Sequence, residues 1–69
     1  MELIEAEIEG LRVIEEGELH IPIVSMEAVG AAFVMFSLVT RGLAEAVKKD
    51  VAGPVFKITE AGRAALANI

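Results

Sequence analysis

The sequence predicts a compact α+β domain in which two or three helices pack on a small β-hairpin. Three observations carry this expectation. Apolar residues recur at helical spacing near the N-terminus, a breaker-rich stretch at 50–54 separates two short apolar segments, and Thr59 opens an alanine-rich segment at the C-terminal end. The 69 residues fit a single domain, 1–69. A chain of this size buries only about 60% of the surface its unfolded form exposes, so help from a partner or a twin is expected.

Residues 2–16 fit a helix because Ile4, Ile8, Leu11 and Ile14 fall on one side and Glu5, Glu9, Arg12 and Glu16 on the other, with Gly17 as the stop. A rival pattern runs through the same stretch. Ile4, Ala6 and Ile8 alternate with Glu5, Glu7 and Glu9, as in an edge strand that turns at Glu16-Gly17. The glutamate content favours the helix. Glu18 to Ile23 alternates in the manner of a brief strand, with Leu19, Ile21 and Ile23 on one face and Pro22 restricting it to a sheet edge.

Ser25 is placed to cap the next helix, and the apolar run to Thr40 suits one buried helix or two short ones broken near Gly30. Met26, Val29, Phe33, Phe36 and Val39 recur at spacings of three and four and are the expected core stripe. Val34 and Met35 are left to face a second subunit. Gly42 ends the helix. Leu43 to Lys49 and Val55 to Thr59 then form the expected hairpin around Asp50-Val51-Ala52-Gly53-Pro54. Thr59 caps a last helix built on Ala61, Ala64, Ala65 and Leu66, with Glu60 in its first turn.

Composition narrows the function. The chain has no cysteine, which excludes disulfides and thiolate metal sites. An acidic N-terminus, where a secretory signal would be basic, points to the cytoplasm. The least charged stretch, Ala28 to Thr40, is thirteen residues long, whereas a membrane span needs about 18 or more, so no membrane helix is expected. Hydrophobic residues make up 55% of the chain and the mean hydropathy is +0.62, high enough to predict a homodimer. One histidine, one aspartate and no tyrosine leave no converging nucleophile and base, so no enzyme is expected. His20 lies beside Pro22 as a surface or edge residue. The glutamates follow helical or alternating spacing rather than a loop of oxygen donors, and the glycines are scattered singly. Neither a metal nor a phosphate-bearing cofactor is expected.

Thr40-Arg41-Gly42-Leu43-Ala44-Glu45 and the segment from Phe56 to Leu66, with its Thr59-Glu60-Ala61-Gly62-Arg63 core, resemble winged helix-turn-helix proteins. Leu11 to Gly17 is similar to the end of that family's first helix. In the family an Arg-Gly-Leu ending closes the recognition helix, a two-stranded wing follows, and a segment of the Thr-Glu-Ala-Gly-Arg type starts the last helix. The resemblance implies a winged-helix-like fold and a DNA-associated transcriptional regulator or accessory factor. It places Arg41, Lys48, Lys49, Lys57 and Arg63 as the phosphate-contacting residues. The segment matching the recognition helix departs from the family, because Phe33 to Val39 offers apolar side chains where groove readers carry polar and basic ones.

Two partner classes follow. With eleven acids against six cations, net charge −5, the chain repels nucleic acid at long range, so DNA binding requires a twin that doubles the contacts. The alternative is a small acidic inhibitor or adaptor of the phage or mobile-element type. Seven acids crowd the first eighteen residues, and in this reading Glu5, Glu9 and Glu16 mimic phosphates or meet a basic surface on a nucleic-acid enzyme.

Overall fold

A computed structural model describes residues 2–69. The element order is α1 (Glu5–Glu15), β1 (Leu19–His20), α2 (Met26–Thr40), β2 (Ala44–Val47), β3 (Val55–Ile58) and α3 (Glu60–Ala67). This is an α+β arrangement of three helices and one antiparallel sheet in the order β1-β3-β2. Residues 5–15 are helical, so the edge-strand pattern in the same stretch loses to the helical one. Glu7 helps decide this, because its Oε1 accepts a hydrogen bond from the Ile4 backbone N–H at 3.1 Å and ties off the start of α1.

The central run forms one helix, unbroken at Gly30. Ser25 caps it by accepting from the Ala28 N–H at 3.1 Å. Its other end closes in a Schellman motif: Leu43 N–H donates to Leu38 O, Gly42 N–H donates to Val39 O, and Gly42 sits at φ +79° where a side chain would be strained. The motif brings Leu43 against Leu38 in the core and sends the chain directly into β2.

Both strands of the β2–β3 hairpin are shorter than the alternation predicts, because the segment from Lys48 to Pro54 is given to the turn. Within it Gly53 adopts φ +95° and lies so close to Ile21 O that a Cβ would stand 2.4 Å away. That approach seats the turn against the residues just after β1, where Ile21 N–H donates to Pro54 O at 2.9 Å. Central β3 pairs with both neighbours, Ala46 and Leu19 flanking Phe56 from either side. Thr59 then caps α3 by accepting from the Gly62 N–H at 3.0 Å, and its hydroxyl donates to Gly42 O at 2.7 Å, which ties the start of α3 to the end of α2.

Phe56, Leu11, Ile14 and Leu38 are fully buried and form the centre of the core, with Ile21, Ala32, Met35, Leu43 and Ala44 around them. This overturns the expected core stripe of α2. Ala32, Met35 and Leu38 face inward, while Met26 is 83% and Phe33 72% exposed. Phe36 stands between the two sides, 44% exposed, with its ring edge-on to Phe56 at a centroid distance of 5.0 Å. Val29 and Val39 are half-buried. The expected seam residues are corrected in the same way: Met35 lies inside the chain, against Gly10 of α1, and half-buried Val34 leans toward the same glycine. The physical reason is that α2 is apolar on every side, so its spacing does not choose a face. Close packing chooses it, through small Ala28 and Ala32 and through Gly10, whose missing side chain admits Met35. Ile23 also leaves the inner face, because the backbone turns at Pro22 as Val24 N–H bonds to Pro22 O.

Candidate functional site

Of the charged residues singled out from the sequence, Glu16, Lys57 and Arg63 line one shallow groove, and Arg41, Lys49 and Lys57 hold carboxylates. Arg41, at the end of α2, turns toward the start of α1, where its Nε meets Glu7 Oε2 at 3.1 Å and its Nη1 donates to Glu2 O at 3.1 Å. Lys49 pairs with Glu18 at 3.3 Å, and Lys57 pairs with Glu45, its cross-strand neighbour in the hairpin, at 3.4 Å. Three of the five candidate cations thus have a carboxylate partner within the chain, Lys49 and Lys57 in solvent-exposed pairs. Lys48, beside the hairpin turn, and Arg63, on α3, make no ion pair among the described residues.

Glu7 is the one buried charge among the described residues, 3% exposed. Besides Ile4 and Arg41 it receives the Ser37 hydroxyl at 2.8 Å, so both carboxylate oxygens are occupied. Its pKa lies below the ordinary carboxylate range. The Ile4 backbone N–H contributes most, burial opposes it, and the Ser37 hydroxyl and the Arg41 guanidinium lower it further. Sequence reasoning placed Glu7 only in the alternating acid run. Its spacing of three from the helix start was the available signal for a reach-back cap. Glu5 and Glu9 on α1, and Glu16 just after it, are exposed.

His20 Nε2–H donates to the Ala52 carbonyl, which fixes the tautomer and links β1 to the hairpin turn. Among the described residues no group of three His, Asp or Glu side chains stands close enough to hold a metal ion. No helix of the described residues is long and apolar enough to cross a membrane. The surface grooves are shallow. One of about 280 Å³ between α1, α2 and β1 is lined by Gly10, Val13, Leu19, Ile21 and Val34, and is almost wholly apolar.

The sequence points to α2 as an interface through Val34 and Met35, but the side of the helix that stands exposed is the other one. Met26, Val29, Gly30, Phe33, Phe36 and Thr40 fall on one side of the helix, opposite Met35, and no charge lies between Glu27 and Arg41. Exposed Val24 extends the apolar surface before the helix. Single exposed apolar residues are ordinary on a protein surface, whereas an apolar helix face with two phenylalanines is a candidate interaction surface. No family model, no curated protein and no solved structure matches this chain.

Proposed function

We propose that this chain is a non-enzymatic protein-binding module of the cytoplasm whose contact surface is the outer face of α2. The observation that carries this reading is the exposure of Met26 and Phe33 on an uncharged helix face. Aromatic and methionine side chains are enriched at protein interfaces, where they supply contact area at small entropic cost, and the core of such an interface is depleted of charge. The helix resembling the recognition helix has Glu27 as its only charged residue. A face of this kind offers nothing to base edges or phosphates.

The regulator reading rests on cations. Arg41, Lys49 and Lys57 each already hold a carboxylate, and the net charge of −5 opposes a polyanion. The discriminating experiment is fluorescence anisotropy of a mixed-sequence DNA duplex at low and at physiological salt. No binding at either is expected. Binding that falls steeply with salt and disappears when Lys48 and Lys49 are changed to Glu would overturn the proposal and establish the regulator. A photo-cross-linking residue at position 33 supplies the positive arm in cells. It should yield protein adducts, whereas the same residue at exposed position 45 should not.

A further inference from the structure

Resting on that reading of the α2 face, we infer that its occupant is a second copy of this chain, packed antiparallel across a two-fold axis level with Phe33. Four observations support this partner.

The first is area. A folded monomer of 7.3 kDa is expected to expose about 4,200 Å², and this chain exposes 4622 Å². The surplus, on the order of 400 Å², approaches what each copy would contribute. With Phe33 at 72% and Met26 at 83% exposure, and with Phe36, Val29 and Thr40 beside them, the face amounts to about 500 Å² per chain. Two copies together bury about 1,000 Å², the threshold for a specific interface.

The second is Gly30. A glycine inside a helix costs about 1 kcal/mol relative to alanine, so it calls for a reason. Gly10 has one, since a Cβ there would stand 2.9 Å from Met35 Sδ, and so does Gly62, where it would stand 2.1 Å from Leu43 O. At Gly30 a Cβ would meet nothing within 4 Å, so nothing in the chain's own fold requires a glycine there. Close approach of another helix does require one.

The third is self-complementarity, which a two-fold interface demands. With the axis level with Phe33, the two Phe33 rings meet at the centre and Met26 lies opposite Thr40 of the second copy. On one flank Val29 meets Phe36 of the second copy. On the other, small Gly30 meets small Ser37, which lets the helices close. The fourth is charge. α2 itself carries no charged residue between Glu27 and Arg41, and Glu7 of α1, which reaches the margin of this face at Ser37, is paired with Arg41, so two copies each at −5 would join through a face without free charge.

Analytical ultracentrifugation of the full chain from micromolar to submillimolar concentration tests this. The expected result is a species of twice the 7.3 kDa monomer mass. Phe33→Glu should raise the dimer Kd by at least about 30-fold, the effect of removing a buried aromatic anchor. Gly30→Leu should also dissociate the dimer. Both positions face open solvent in the monomer, so both variants should keep the wild-type circular dichroism. The absence of native cysteine makes the geometry testable: Phe33→Cys should form an intermolecular disulfide, and Met26→Cys should not, because antiparallel packing holds its two copies about 20 Å apart.

A wild-type chain that stays monomeric overturns the second copy. Adducts from position 33 to a different protein would then leave the binding-module reading standing, and their absence would remove it too. A dimer indifferent to Phe33→Glu places the interface elsewhere and overturns the proposal. Equal cross-linking at positions 26 and 33 means parallel packing and overturns the antiparallel geometry.

Discussion

Replacing Glu7 with Gln tests whether the buried carboxylate holds α1 to α2. The side chain keeps its shape but exchanges one acceptor oxygen for an N–H₂ donor. Three donors surround that carboxylate: Ile4 N–H on Oε1, and the Ser37 hydroxyl and Arg41 Nε on Oε2. Whichever way the amide turns, a donor faces a donor, and a buried group left unsatisfied costs about 1–3 kcal/mol. Loss of the Arg41 pairing adds less than the ~3–5 kcal/mol of a fully buried ion pair, because the Arg41 side chain is 32% exposed and regains water. The expected destabilisation is about 2 kcal/mol, which for a domain of this size lowers Tm by roughly 8–16 °C. Thermal melts followed by circular dichroism measure it. The pH dependence has a definite sign. The folded pKa of Glu7 is depressed, so its contribution is fully present above the unfolded carboxylate value, about 4.3, and is lost as pH falls through the folded pKa. The Tm gap between wild type and variant should therefore be full at neutral pH and close in acid. A gap absent at pH 7, or one that persists unchanged as wild-type Glu7 becomes protonated, would refute the reasoning.

Two further stability predictions concern glycine packing and the cap of α3. Gly62→Ala should cost about 3 kcal/mol, because the new Cβ would press on Leu43 O, a backbone atom that cannot step aside. Gly10→Ala should cost less, about 1 kcal/mol, since the atoms it presses on, Met35 Sδ and Leu38 Cδ1, are the ends of flexible side chains and alanine favours the helix; equal effects at the two sites in urea unfolding would contradict this. Thr59→Ala should cost about 1–2 kcal/mol by removing both the α3 cap and the bond to Gly42 O, while Thr59→Ser should restore most of it. A serine variant as unstable as the alanine one would show that the hydroxyl is not what matters.

Where the sequence carried a local rule, the structure was legible. Ser25, Gly42 and Thr59 each mark a helix end because capping and left-handed backbone depend on the residue itself, and the breakers at 50–54 mark the hairpin turn for the same reason. The α+β class followed from those signals. What failed was the facing of α2. A helix apolar all round carries no directional signal, and its orientation is decided by long-range packing: Gly10 admitting Met35, Phe56 meeting the edge of Phe36, and Glu7 reaching Ser37 and Arg41. The pairing of the charged candidates was illegible for a related reason. Sequence gave the number of cations but not their partners, and Glu18 and Glu45 become partners of Lys49 and Lys57 only once the sheet has formed.

The acidity of the chain, which first suggested a charged partner, takes on a different role beside the α2 face. Two chains at −5 repel, and salt screens that repulsion while leaving the burial of Phe33 and Met26 untouched, so association through this face strengthens as salt rises. Binding to DNA, or to a basic protein surface through Glu5, Glu9 and Glu16, runs the other way. Phosphate contacts release counterions, and about three of them give a salt slope near −2.7. The direction of the salt dependence therefore separates the apolar mode from the charged ones. It also accounts for the placement of charge in the fold. On the proposed reading, the uncharged stretch of α2 would let two such chains meet without desolvating a carboxylate of that helix, while the exposed acids gathered on α1 stay hydrated.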